Sequence, residues 1–169
     1  MTRFEELFLP HLNAAYNLAR WLTDNDSAAQ DVVQESAYRA VKFLHRFDGG
    51  NAKAWFLTIV RHESYNWLKA SARQGAVAFD EACPEGDPLL ADLRTPEWQL
   101  IQGQEAEQLQ QALLALAPAF REVIVLKELE DMSYKDIAKI VDIPLGTVMS
   151  RLARARGLLR LQLQKSCPS

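Results

Sequence analysis

The chain has 169 residues, 49% of them hydrophobic, and a formal net charge of −3. That length accommodates one medium domain or two small ones with packed cores, and the composition excludes a disordered chain. No apolar run approaches a membrane span, and the N-terminal MTRFEELFLPHL has acids and a proline where a signal peptide has an apolar centre, so a cytoplasmic protein is expected.

Charge is unevenly spread. Residues 1–73 carry nine basic and eight acidic groups, residues 74–104 one and six, and residues 105–169 nine and eight, for net charges of +1, −5 and +1. The acidity is concentrated in the middle, so the overall sign does not exclude a nucleic-acid partner. Cys83 and Cys167 are too far apart in sequence to suggest a disulfide framework or a paired zinc motif.

In chain order, Phe4, Leu7, Phe8, Tyr16, Leu18, Ala19 and Leu22 suggest helix, disturbed near Pro10. Asp24 to Asp26 offer cap residues, after which Val32, Val33, Ala37, Ala40, Val41 and Leu44 trace the buried face of a longer helix. The cluster Asp48, Gly49, Gly50, Asn51 ends it. A third helix is expected from about Ala52 to Ala72, with Trp55 and Phe56 read as core rather than as stacking platforms. Between Gln74 and Pro96 the periodicity fails among prolines, glycines and acids, which marks a flexible linker. Leu109, Ala112, Leu113 and Leu116 then share a helical face, and Pro118 restarts a helix with Phe120, Val123, Ile124 and Leu126. No strand pattern appears. The fold class expected is all-α, two small helical domains joined by an acidic linker, with boundaries at 1–73, 74–104 and 105–169.

The richest segment is SYKDIAKIVDIPLGTVMSRLARARGLLR, residues 133–160. Ser133 and Asp136 form a capping pair, and Tyr134, Ile137, Ala138 and Val141 repeat on one buried face. Asp142 and Ile143 break the helix, and Pro144 suits the first position of a second one. On that second helix Val148, Leu152, Ala155 and Leu159 fall on one side, while Thr147, Ser150, Arg151 and Arg154 recur on another. A core face opposite a hydroxyl and guanidinium face is what a helix needs to enter the major groove, and Gly146 permits close backbone approach. Segment 133–160 is therefore read as a helix-turn-helix that binds duplex DNA.

At this point the chain resembles the extracytoplasmic-function (ECF) sigma factors of bacterial RNA polymerase. AFREVIVLKELEDMSYKDIAKIVDIPLGTVMSRLARAR is similar to that family's upstream promoter reader, and DNDSAAQDVVQESAYRAVKFLHRFDGGNAKAWFLTIVRHESYNWLKASAR to its promoter-melting domain. The resemblance implies a non-enzymatic factor that recruits core RNA polymerase to the minus-35 and minus-10 elements and directs transcription initiation, with no cofactor and no metal. It implies that Asp31, Gln34 and Glu35, which share one helical face, bind the clamp helices of the polymerase's largest subunit. It also implies that the loop from Asp48 to Lys53 and the following helix capture a base flipped from the melted minus-10 strand. Asn51, Lys53, Arg61, Asn66 and Lys69 would supply polar and cationic contacts there, with Tyr65 and Trp67 as aromatic candidates. On the minus-35 duplex it places Ser150 and Arg154 near bases and Thr147, Arg151 and Arg156 nearer phosphates. Met149 stands where the family commonly has lysine or arginine, which replaces an ionic contact by apolar contact of the kind a thymine methyl accepts. A restraining anti-sigma factor, often membrane-anchored in the family, is the further partner implied.

Two other accounts compete. A conventional dimeric helix-turn-helix regulator explains only the second half of the chain. A helical enzyme finds no support, since His11, His45 and His62 lack companion ligand spacing and no nucleophile or phosphate-loop motif is present. The acidic linker is read either as a mimic of nucleic-acid charge or as a solvated tether.

Overall fold

A computed structural model describes residues 2–73 and 104–166. The described residues are helical with no strand, and the chain divides into two compact units, Met1–Arg94 and Thr95–Ser169. The acidic segment expected to be a linker, Cys83 and Cys167 lie outside the described residues, apart from Gln104.

In the first unit, α1 (Arg3–Phe8) opens on Thr2, whose hydroxyl accepts the Glu5 N–H at 3.2 Å while Glu5 reaches back to the Thr2 N–H. Pro10 cannot donate to the ladder, and the chain tightens into a 3₁₀ turn, Leu9–His11, before α2 (Leu12–Thr23). The disturbance expected near Pro10 is therefore a change of helix type. Helix α2 ends at Asp24 in the left-handed region (φ 53°), and Asn25 caps α3 (Asp26–Lys42) by accepting the Ala28 N–H at 2.8 Å. Helix α4 (Ala52–Arg73) follows a 3₁₀ turn at Leu44–Arg46 and a loop. In that loop Gly49 takes φ 88° and Asp48 accepts the Gly50 N–H at 2.9 Å.

Helices α2, α3 and α4 pack on one another around Leu18, Leu22, Val33, Phe56, Leu57 and Val60, none more than 1% exposed. Phe8, fully buried, gathers the rings of Phe4, Phe47, Trp55 and Phe56 around itself at centroid distances of 5.4, 5.9, 5.3 and 5.4 Å. Three members of the stripe expected on α3 depart from it: Ala37 is half-buried, and so is Leu44, which lies past the helix in the 3₁₀ turn. Val41 is 54% exposed rather than buried, because it sits one residue, about 100° of helical rotation, beyond Ala40, which closes the covered face. Tyr38, 61% exposed, marks the same outward side.

In the second unit, α5 (Gln104–Leu114) and α6 (Pro118–Ile124) continue into a π-helical turn, Val125–Leu129. Arg121 is buried and turns back on the end of α5. Its Nε donates to the Leu113 carbonyl at 3.2 Å, and Nη2 donates to those of Leu114 and Leu116 at 3.1 and 2.8 Å. The Leu113 carbonyl also accepts the Leu116 N–H at 3.1 Å, so Arg121 adds donors where the helix end runs short of them, and a cation there also suits the helix dipole. Helix α7 (Tyr134–Val141) is capped by Ser133, which accepts the Asp136 N–H at 3.0 Å, and ends at Asp142 with φ 57°. Helix α8 (Leu145–Ser166) begins one residue later than the proline pattern suggests: the Pro144 carbonyl accepts the Val148 N–H at 3.0 Å, which is the behaviour of a capping residue. Ile137 and Val141 of α7 and Val148, Leu152 and Ala155 of α8 are buried as the periodicity predicts, Ile140 is buried in addition, and the expected Tyr134, Ala138 and Leu159 are only half-buried.

Two tests follow from this packing. Arg121→Met keeps most of the side-chain volume but removes the donors, and chemical unfolding should show a loss of about 2–4 kcal/mol, from charged hydrogen bonds and carbonyls left unmet. Partial burial, and after it the Lys53 charge, hold the His11 pKa below its ordinary 6.5. The fold therefore favours neutral His11, and stability should be lost as pH falls through that value and on through the lower folded pKa. Melting curves between pH 7.5 and 5 should show a smaller loss for His11→Gln than for the wild type.

Candidate nucleic-acid and docking surfaces

On α3 the spacing that places Val32, Val33, Ser36 and Ala40 inward leaves Asp31, Gln34 and Glu35 exposed together on the outside. Tyr38 and Val41 extend this face with two large apolar surfaces, so it combines acids, an amide and hydrophobic area. Glu35 pairs with Arg39, whose Nε donates to its Oε2 at 3.0 Å. A shallow groove of about 270 Å³ lies alongside, lined by Asp31, Val32, Glu35, Glu63, Asn66 and Trp67.

This grouping separates residues that the resemblance had assigned to one surface. Asn66 and the half-buried Trp67 adjoin the acidic face of α3, while Asn51 and Lys53 lie at the opposite end of α4, about 22 Å away for fifteen helical residues. Asn51 also has a local duty: its Oδ1 accepts the Ala54 N–H at 3.1 Å and so caps α4. Arg61 lays its guanidinium 4.6 Å from the centre of the Tyr65 ring, and Lys69 is exposed farther along the helix. Lys53 is half-buried and close enough to His11 to depress its pKa.

A second groove, about 370 Å³, was not evident from sequence. Phe43, Trp55, Thr58 and Ile59 line it together with Arg39, Arg46, His62 and Glu63. The Arg46 guanidinium stands 4.7 Å, and the Lys42 ammonium 5.5 Å, from the centre of the Phe43 ring. An apolar and aromatic wall edged with cations accepts a planar base on its face and a phosphate at its rim. Trp55, expected in the core, takes both parts: one side meets Phe8 and Phe47, and the ring lines this groove. Its helical neighbours gave a purely core signal, and the assembly with Phe43 and His62 exists only once α3 and α4 are packed.

On α8, Met149, Ser150 and Arg154 are exposed, while Thr147 and Arg151 are half-buried. The Ser150 hydroxyl donates to the Thr147 carbonyl at 3.2 Å, leaving its oxygen lone pairs outward. Arg154 passes 5.6 Å from the Phe120 ring centre. A Cβ built at Gly146 meets nothing within 4 Å, so the chain's own packing places no demand for glycine there. Arg156, expected near phosphate, is paired with Glu128. Its Nε and Nη2 lie 3.0 and 2.5 Å from Glu128 Oε1 in the π-helical turn, and this contact raises its pKa further. The partner is 28 residues away in sequence, so helical spacing on α8 could not reveal it. Among the described residues no group of three metal-ligating side chains occurs, and no helix is long and apolar enough to cross a membrane.

Comparison with known proteins matches residues 7–74 to Sigma-70 region 2 and residues 106–159 to Sigma-70, region 4. The chain is 31% identical over 166 residues to the RNA polymerase sigma-H factor of Pseudomonas aeruginosa, covering 95% of this chain and 86% of that one. It is 32% identical to the ECF RNA polymerase sigma factor SigE of Mycolicibacterium smegmatis, covering 98% of this chain and spanning 63% of that protein's length. In structure it is similar to the sigma factor RpoE of Bartonella quintana, solved in complex with the anti-sigma factor NepR, with a TM-score of 0.76, 27% identity, and coverage of 97% and 98% of the two chains.

The α8 geometry generates a test on duplex DNA. Arg151→Ala should reduce the slope of log affinity against log salt by about one, as for loss of one phosphate contact. Arg156→Ala should leave that slope unchanged and lower the melting temperature, because its guanidinium is committed to Glu128. Equal slope changes for the two variants would show that Arg156 leaves Glu128 for the DNA.

Proposed function

This chain belongs to the extracytoplasmic-function sigma factors of RNA polymerase, and from that premise we propose how its surfaces divide the work of promoter-dependent initiation. It is not itself an enzyme; RNA synthesis belongs to the polymerase. The segment from 1 to 73 docks on core polymerase through Asp31, Gln34 and Glu35 of α3, with Tyr38 and Val41 adding apolar contact. The same segment holds the melted minus-10 strand. A flipped base stacks in the Phe43 and Trp55 groove, where stacking on aromatic side chains is worth about 1–3 kcal/mol per base. Arg46, Lys53 and Arg61 attract the phosphates around it, Lys69 extends the cationic track, and Asn51 holds the loop by capping α4. Asn66, beside Asp31 and Glu35, is reassigned to the rim of the docking face.

The segment from 105 to 169 reads the upstream duplex with α8. Ser150 and Arg154 face base edges, Thr147 and Arg151 approach phosphate, and Met149 offers apolar contact to a thymine methyl. Arg156 supports the turn beneath the reading helix rather than contacting DNA. Residues 74–104 connect the two segments. The protein works in the cytoplasm, where promoter DNA and polymerase are. An anti-sigma factor restrains it; the Bartonella quintana relative RpoE was solved bound to such a factor, NepR.

The observation that carries this reading is the presence, in one chain, of an acid and amide helix face on one unit and an exposed hydroxyl and guanidinium helix on the other. A conventional dimeric regulator uses the second and has no task for the first.

Run-off transcription by purified core polymerase on genomic fragments tests it. Discrete starts should require this protein, and Glu35→Lys should lower them at least about tenfold, since a charge reversal in a docking face costs several kcal/mol, while binding of duplex DNA by α8 is retained. Duplex binding without any polymerase-dependent start would favour the conventional regulator.

A further inference from the structure

Arg39 occupies an unusual position between the two surfaces of the first unit. Its Nε lies 3.0 Å from Glu35 Oε2 on its own helix and 2.9 Å from Glu63 Oε2 on α4. That nitrogen carries one hydrogen, and the hydrogen is directed to Glu35. Glu63 Oε2, on a side chain only 10% exposed, therefore has the guanidinium charge beside it but accepts no hydrogen bond. Glu35 is 46% exposed, so water can replace Arg39 there. Water cannot do so at the buried oxygen of Glu63, and an unmet buried acceptor is the costlier of the two. The hydrogen thus has two acceptors within reach, and an added ligand for Glu35 alone would shift it to Glu63.

The surroundings give that shift a consequence. Glu35 belongs to the outer face of α3, whereas Arg39 and Glu63 both line the groove formed with Phe43, Trp55 and His62. With Glu35 unengaged, the three charged groups sum to one negative charge beside a groove that takes nucleic acid. With Glu35 neutralised by a partner cation, Arg39 and Glu63 form a neutral pair.

We propose that Arg39 is a positioning residue that transmits docking at Glu35 to the single-strand groove, by passing its Nε hydrogen bond from Glu35 to Glu63. The proposal rests on the docking and strand-capture assignments above. It makes strand capture stronger on polymerase than in the free factor, through one side chain and without movement of the helices.

The test uses the full chain and a dye-labelled twelve-residue oligothymidylate read by fluorescence anisotropy. Glu35→Gln, which weakens the outer acceptor, should tighten binding by about threefold or more, the low end of coupling among groups sharing a network. In a Glu63→Met background, which removes the inner acceptor at similar volume, that gain should vanish. It should vanish as well with Arg39→Lys, which keeps the charge but lacks the Nε–H. Circular dichroism melts establish that each variant folds; if Glu63→Met does not, the Arg39→Lys pair decides. A gain of the same size in those backgrounds would show that Glu35 acts by charge alone and overturn the relay, and so would no gain at all. Affinity of Glu35→Gln for core polymerase is measured separately. If it falls while the DNA coupling is missing, docking stands and the relay fails; if it is unchanged while the coupling is present, the relay acts within the fold and the docking assignment fails.

Discussion

Burial of Phe8 among four other aromatic rings governs where the working surfaces of the first unit lie. The cluster joins α1 to the residue that precedes the Asp48–Asn51 loop, Phe47, and to the first two turns of α4 through Trp55 and Phe56. With both ends of the loop tied to one buried ring, the loop's conformation reduces to a left-handed glycine and two side-chain caps. The axis of α4 is then set against α3, and the groove between Phe43 and Trp55 is a consequence of that packing. Aromatic residues supply large buried area with defined ring geometry, which is why a small unit can be positioned by one such cluster.

In the second unit the deciding events are choices among cations. Arg121 turns inward to the carbonyls at the end of α5, and Arg156 turns sideways to Glu128, so both guanidinium groups have partners within the unit. What remains on the outer side of α8 is a smaller set than composition suggests, centred on Arg151 and Arg154 with Thr147 and Ser150. A reading helix with few cations depends more on its orientation, and orientation is what Arg121, the π-helical turn and the buried Val148, Leu152 and Ala155 provide. Affinity and specificity are thereby separated: the core holds the helix at its angle, and a few exposed groups make the contacts.

The same division underlies the roles proposed for the two surfaces of the first unit. Docking on a protein and holding a single strand require different chemistry, one acidic and apolar, the other aromatic and cationic. These surfaces are only one helix apart, and Glu63 borders both. Opposite charges so close cannot act independently, because screening by salt is weak over distances shorter than about 8–10 Å. Coupling between docking and strand capture is thus a physical expectation of this arrangement, with Arg39 the group placed to carry it.

Much of this was legible along the chain. Helix positions, the proline-induced turn, the Ser133 cap, the inward stripe of α8 and the exposure of Asp31, Gln34 and Glu35 all follow from local rules: backbone hydrogen bonding, the 3.6-residue period, and the reach of side chains to groups three or four residues away. The all-α class and the helix-turn-helix were therefore determined by sequence alone. What only tertiary structure decided are the pairings over longer separations. Glu128 holds Arg156, Phe43 and Trp55 line one groove, Asn66 joins the acidic face rather than the loop, and Glu63 comes within 2.9 Å of Arg39. Periodicity assigns a residue to a side of its own helix. It carries no information about which residue of another helix stands opposite, because that depends on how the buried faces fit together.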